Sequence, residues 1–141
     1  MNVLIDTNVL LDIMLEREPF VKPAEQVFET AKHTTIELFM SATTVTDLYS
    51  IARQEKGREQ TLVLIEDLLQ CVEVISVDKA VILHALHAGL PDFEDAVQEG
   101  AAKQANISIS VTRHGSDFTQ SDLDVYPPEA FVARYGKAPE G

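Results

Sequence analysis

The sequence contains a single cysteine and no long apolar run. Because a lone thiol has no partner, Cys71 rules out an internal disulfide, and this cysteine usage suits the reducing cytoplasm. We expect Cys71 to be a small buried hydrophobe. No apolar stretch approaches the roughly 18 residues that a membrane-spanning helix needs, and Asp6 interrupts the N-terminal run where a signal peptide would be apolar. A cytoplasmic protein without a membrane segment is therefore predicted.

Basic residues are scarce. The chain has 11 Lys and Arg against 23 Asp and Glu, and its formal net charge is −12. This balance argues against a large basic surface that grips nucleic acid non-specifically. The glycine-rich patterns G-x-x-x-x-G-K-[ST] and G-x-G-x-x-G are absent, which excludes nucleotide binding by those two loops. A solvated acidic surface explains most of the charge, although carboxylates that line a metal site would add to it.

Short apolar runs alternate with helical patterns along the chain. Four runs, at residues 3–5, 36–40, 72–77 and 107–111, read as strands, and Val125 with Tyr126 predicts a short fifth strand. Strands separated by helices predict an α/β fold, a three-layer α/β/α sandwich around a mostly parallel sheet of four or five strands. At 141 residues, we expect one domain over residues 1–135 and a mobile C-terminal tail at 136–141.

Acidic residues recur where strands end or helices begin. Asp6 ends the first strand, Asp47 lies on the helix after the second, Asp92 and Asp95 open the helix before the fourth, and Asp117 follows the fourth. Each alone could be a helix cap or a turn residue. Strand-to-helix junctions share one edge of a parallel sheet, however, and carboxylates gathered there would repel one another. A divalent cation relieves that repulsion, and hard oxygen ligands suit one or two Mg²⁺ or Mn²⁺ ions.

Four stretches then identify a family. They are DTNVLLD at residues 6–12, SATTVTDL at 41–48, DFEDA at 92–96 and VTRHGSDF at 111–118. In this order and spacing, over roughly residues 1–135, they resemble the PIN domain family, named for the N-terminal domain of PilT. The resemblance is strongest to the compact bacterial members that include VapC-type toxins.

The resemblance implies a metal-dependent endoribonuclease, with RNA as its substrate, and a sheet ordered 3-2-1-4-5. It also implies a homodimer and an antitoxin partner whose peptide covers the site. The implied catalytic acids are Asp6, Asp47, Asp95 and Asp117. The implied metal ligands are Asp6, Asp92, Asp95 and Asp117, and the implied supporting residues are Thr7, Asn8, Thr112 and Arg113.

Three features depart from the family pattern. Asp47 stands where many toxin relatives have Glu, so its carboxylate is one methylene shorter. His114 stands where Asn is usual after Thr-Arg, and the net charge of −12 disfavours a broad grip on RNA. Two other hypotheses remain open. One is a PIN-like binding module whose acids hold a basic partner peptide or a structural cation. The other is a phospho-aspartate protein, although the Asp-x-Asp of the dehalogenase type is absent.

Overall fold

The computed structural model describes residues 1–113 and 123–136. Helices separate the first four strands along the chain, as the sequence predicts. The strands are β1 (Asn2–Ile5), β2 (Glu37–Ser41), β3 (Val72–Ile75), β4 (Ile109–Val111) and β5 (Asp124–Tyr126). The helices are α1 (Thr7–Met14), α2 (Val21–Lys32), α3 (Ala42–Lys56), α4 (Arg58–Leu69), α5 (Lys79–His87), α6 (Phe93–Gln104) and α7 (Pro128–Tyr135).

The five strands form one sheet in the order β3-β2-β1-β4-β5, and every pairing in it is parallel. The predicted α/β class, the strand order and the short fifth strand are confirmed. Because β1 lies in the centre, its carboxyl end is flanked by the carboxyl ends of β2 and β4. That placement decides which side chains can meet Asp6.

Both faces of the sheet are covered by helices. Val3 and Ile5 point into a core cluster shared with α1, α2, α3, α4 and α7, whereas Leu4 packs into a second cluster with α5 and α6. Successive side chains of a strand face opposite sides, so an unbroken apolar run such as β1 is suited to burial on both faces. The molecule is the predicted three-layer sandwich.

Several helices begin at the capping residues that the sequence suggests. Ser41 accepts a hydrogen bond from the Thr44 N–H at 3.3 Å, and Asp78 accepts one from the Val81 N–H at 3.0 Å. Between α3 and α4, Gly57 has a φ of +79°, a conformation that side chains disfavour. These capping and turn residues determine where the helices begin and end, and therefore where each strand meets its helix.

Two packing expectations are wrong. Cys71 is exposed, because it lies in the turn between α4 and β3 rather than on an inward-facing strand position. The helical spacing of Phe93 with Ala96 and Val97 predicts a buried face that includes Phe93, but this residue is 48% exposed at the start of α6. Beyond Gly136 the predicted tail lies outside the described residues. No helix in the described part of the chain is both long enough and apolar enough to span a bilayer.

Candidate functional site

Asp6 joins the central strand to α1. Its N–H donates to the Val111 carbonyl at 3.0 Å, which extends the pairing of β1 with β4 by one residue. Its backbone is extended, with φ −75° and ψ 157°, and it is the N-cap of α1. The side chain is only 9% exposed. The sheet therefore ends in a nearly buried carboxylate at the edge where parallel sheets bind ligands.

Four groups donate hydrogen bonds to the Asp6 carboxylate. Oδ1 accepts from the Thr7 N–H at 2.8 Å and from Gln98 Nε2 at 3.2 Å. Oδ2 accepts from Thr112 Oγ1 at 2.7 Å and from Asn8 Nδ2 at 3.0 Å. Thr112 reaches Asp6 because the strand before each of them is paired in register, with Ile5 opposite Val111. The arrangement fixes the direction of both carboxylate oxygens.

A buried hydroxyl connects this carboxylate to β2 and α3. Thr44 Oγ1 lies 3.0 Å from Gln98 Nε2, 3.1 Å from Thr7 Oγ1 and 3.2 Å from Ser41 Oγ. Thr44 is completely buried, on the first turn of α3. Gln98, on α6, thus connects Asp6, which follows β1, to Thr44 on α3. Its other amide atom, Oε1, is buried and has no hydrogen-bond partner among the described residues.

The acids line one cleft of about 700 Å³ at this edge of the sheet. Its carboxylates come from Asp6, Asp47, Asp92, Glu94 and Asp95. Its apolar walls come from Leu11, Ile51, Ile82, Phe93 and Val97. None of the described lining residues is basic. A cation or a basic partner group bound in the cleft would offset the negative charge of these carboxylates.

Asp47 shows the electrostatic effect of this crowding. Partial burial raises the pKa of its carboxyl above the ordinary value, and the negative charge of Asp6 raises that pKa further. Burial and a nearby like charge both disfavour the ionised form. A bound cation would act in the opposite direction on the same group.

The two predicted site acids at the start of α6, Asp92 and Asp95, differ in their exposure. Asp92 is exposed and caps the helix, since its Oδ1 accepts from the Asp95 N–H at 3.1 Å. Asp95 is half-buried one turn further on. Across residues 1–113 and 123–136, no three acidic, histidine or cysteine side chains come close enough to hold one metal ion. The fourth predicted acid, Asp117, and the departure at His114 lie outside the described residues.

The supporting residues divide into two groups. Thr7 and Asn8 line the cleft, and Thr112 contacts Asp6 directly. Arg113 instead turns away to Asp12, a fully buried carboxylate on α1, with Nε lying 2.7 Å from Oδ2. The structure thus assigns Arg113 to an ion pair inside the fold.

Sequence reasoning missed Gln98, Thr44 and Asp12. Gln98 follows Asp95 by three residues and so lies on the same flank of the helix. This spacing is the one feature of the sequence that could have indicated Gln98. Glu99 follows Asp95 by four residues, which also predicts a place on that flank, but Glu99 is buried outside the cleft, with Oε1 3.2 Å from Lys103 Nζ. A charged residue inside the apolar pattern of α1 was the corresponding signal for Asp12.

Comparisons with known proteins agree with this geometry. The model of the PIN domain family matches residues 2–114. Ribonuclease VapC1 of Aquifex aeolicus (strain VF5) is 25% identical over 138 residues, which covers 94% of each protein.

Solved structures share the fold over nearly the whole chain. VapBC-1 from nontypeable Haemophilus influenzae has a TM-score of 0.70 at 21% identity, covering 92% of this chain and 99% of that one. A toxin-antitoxin complex from Klebsiella pneumoniae has a TM-score of 0.67 at 19% identity, covering 89% and 97%. At sequence identities this low, the structural similarity shows only that the fold is shared.

Proposed function

This chain belongs to the PIN domain family, and on that premise we propose that it is a metal-dependent endoribonuclease, the toxin of a toxin–antitoxin pair. The observation that carries the proposal is the cleft at the carboxyl end of the sheet, which Asp6, Asp47, Asp92 and Asp95 line together. The ribonuclease named among its relatives supports the same reaction.

The donor chemistry fits Mg²⁺ or Mn²⁺, because both ions prefer hard carboxylate oxygens. In our proposal Asp6, Asp95 and Asp117 hold one or two ions, with help from Asp47 and Asp92. Burial and, after it, the charge of Asp6 raise the pKa of Asp47, and a cation in the cleft would offset the contribution of that charge. When bound, such an ion neutralises charge that develops on the phosphate and lowers the pKa of a coordinated water.

The chain's own residues orient the Asp6 carboxylate. Thr7, Asn8, Gln98 and Thr112 hold the Asp6 carboxylate in one direction, so that little reorganisation is needed when substrate arrives. In our proposal the Asp47 carboxylate, which lines the same cleft, accepts a proton from the attacking water. The apolar walls strengthen electrostatic interactions within the cleft.

Partners follow from the same proposal. RNA is the substrate, a second copy forms a homodimer, and an antitoxin peptide covers the acids when activity is off, all in the cytoplasm. A toxin-antitoxin complex among the structural neighbours supports the antitoxin. An acidic, partly apolar cleft is complementary to a basic, amphipathic peptide.

Cleavage of total RNA by the purified protein tests the proposal. We expect cleavage with Mn²⁺ and none with EDTA. Replacing Asp6 by Asn, or Asp95 by Asn, removes a carboxylate from the cleft and should abolish cleavage. Asp67→Asn is the matched control, because it makes the same chemical change at an exposed position on α4 and should cleave like the wild type.

Circular dichroism should first show that all variants fold. An Asp6→Asn protein that cleaves at the wild-type rate would refute the assignment of the site. Tight binding of a partner peptide without chelator-sensitive cleavage of any RNA would instead favour a binding-only module.

A further inference from the structure

Asp12 is a carboxylate buried within α1. It is 0% exposed, although charged groups are rarely buried unless they are paired. Two arginines approach it from different parts of the chain. Arg17 follows α1 directly, with Nη1 3.9 Å from Oδ1, and Arg113 comes from the end of β4. The two contacts differ in quality and in what they connect.

Arg113 makes the closer contact with Asp12. Its Nε lies 2.7 Å from Oδ2 and its Nη2 3.2 Å from Oδ1, so both carboxylate oxygens are bound. The guanidinium also lies 3.9 Å from the centre of the Phe20 ring, in the connection between α1 and α2. The carboxylate and the ring together hold the side chain in one orientation. The Arg17 side chain makes only the single contact at 3.9 Å with this carboxylate, and it is 38% exposed.

The backbone of Arg113 links this ion pair to the candidate site. Its N–H donates to Asn8 Oδ1 at 3.2 Å. The other end of the Asn8 amide lies 3.0 Å from Asp6 Oδ2 and 3.1 Å from Thr112 Oγ1. A continuous series of contacts therefore runs from Asp12 to Asp6. The Arg17 N–H donates to the Asp12 carbonyl at 3.0 Å, but among the described contacts Arg17 has no hydrogen bond to Asn8, Thr112 or Asp6.

We propose that Asp12 is a positioning residue, which acts through Arg113 to hold Asn8 and Thr112 against the Asp6 carboxylate. By anchoring Arg113, it also fixes the backbone directly after β4. The link to catalysis rests on the proposed ribonuclease function, whereas the link to the geometry of Asp6 does not.

The two arginines provide a matched test, because both neutralise the same carboxylate and only Arg113 reaches the site. The variants are Asp12→Asn, Arg113→Gln and, as the control, Arg17→Gln. In metal-free protein, hydrogen exchange and NMR would follow the Arg113 N–H and the side-chain amide of Asn8. We expect loss of exchange protection and shifted Asn8 signals in the first two variants, and wild-type behaviour in Arg17→Gln.

Metal binding and kinetics measure the consequence. Residues behind metal ligands typically change affinity by about 10- to 100-fold. We expect Asp12→Asn and Arg113→Gln to weaken Mn²⁺ binding by at least about tenfold and to lower kcat with KM unchanged. Arg113→Lys should restore only part of the effect, because an ammonium lacks the planar fork that binds both oxygens.

Two further variants distinguish a general loss of stability from a specific effect on the geometry of Asp6. The double variant Asp12→Asn/Arg113→Gln leaves no unpaired buried charge, so it should fold even where a single variant does not. Val27→Ala lowers stability from a buried position on α2, away from the site. If Val27→Ala weakens Mn²⁺ binding as much as Asp12→Asn, the effect is only structural and the proposal is wrong.

Two other results would also contradict the positioning role of Asp12. An unchanged Asn8 amide in the double variant would overturn the proposal, as would equal effects of Arg17→Gln and Arg113→Gln. A wild-type protein that neither binds Mn²⁺ nor cleaves RNA would refute the proposed function. The metal-free NMR comparison would still decide the positioning role in that case.

Discussion

The Asp6 carboxylate accepts four hydrogen bonds, about as many as its two oxygens have lone-pair sites to offer. A cation that binds Asp6 must share an oxygen with these donors or replace one of them. The longest of the four bonds is the one from Gln98 Nε2, at 3.2 Å. Gln98 is therefore the donor that we expect a cation to replace.

Replacing Gln98 by Met tests this expectation. Met has a similar length but no donor, so Asp6 and Thr44 would each lose a buried partner. The metal-free protein should lose about 1–3 kcal/mol of unfolding free energy. With saturating Mn²⁺ the loss should be smaller, because the cation supplies the missing partner of Asp6. Urea unfolding with and without Mn²⁺ measures both values.

Gln104→Met is the control, since it makes the same change at an exposed position of α6. It should alter neither value. A loss from Gln98→Met that is the same with and without Mn²⁺ would show that Gln98 stays on Asp6 when the metal is bound.

At the residue scale, the sequence indicated which carboxylates to consider but not how they are held. Asp6 was predictable because an apolar strand ends in it directly before a helix. Gln98 and Asp12 were not, because each acquires its role from a partner about a hundred residues away, Asp6 and Arg113 respectively. Local pattern carries no information on such long-range pairs.

At the scale of elements, the apolar runs predicted every strand, but some predicted strands extend beyond the ends of the observed ones. The run 72–77 predicted a longer strand than β3, and 107–111 a longer one than β4, because burial continues where pairing has stopped. Ile107, for example, is 2% exposed but lies before β4. Conversely, α2 begins before Pro23, since a proline in the first turn of a helix lacks only an N–H that would be unpaired there.

The start of α6 offers a test of a cap against a metal ligand. Asp92 caps α6 as Asp78 caps α5. Substituting either residue by Ala should cost about 1 kcal/mol of stability, whereas Ser retains a capping oxygen. If Asp92 also helps to hold a cation, Asp92→Ser should keep the wild-type melting temperature and yet bind Mn²⁺ more weakly. Calorimetric titration with Mn²⁺ measures the difference.

Asp78→Ser is the matched control for this substitution. It should leave both the melting temperature and the Mn²⁺ affinity unchanged, because α5 is capped outside the cleft. Wild-type Mn²⁺ affinity in Asp92→Ser would leave Asp92 with its capping role alone.

At the scale of the whole molecule, the periodic pattern predicted an α/β sandwich, and the strand order came from the family resemblance. Helical crossovers permit many orders for the same sequence of elements, so periodicity cannot choose among them. The order matters for function. It places β1 between β2 and β4, which brings Ser41, Asp6 and Thr112 to one edge.

Folding also concentrates negative charge in a chain whose net charge is already −12. Self-repulsion destabilises the compact state, so KCl should raise the melting temperature by screening. A cation that binds only the folded protein adds a separate term, about 2.7 kcal/mol at 100 times its Kd. For a chain of this length, that corresponds to a rise on the order of 10 °C.

Melting curves in Mn²⁺ and in KCl of equal ionic strength separate the two effects. The wild type and Asp67→Asn should melt at higher temperature in Mn²⁺ than in KCl. Asp95→Asn should respond to KCl alone, because it has lost a carboxylate of the cleft but little of the total charge. If Mn²⁺ and KCl raise the wild-type melting temperature equally, the acids respond only to screening and do not form a specific metal site.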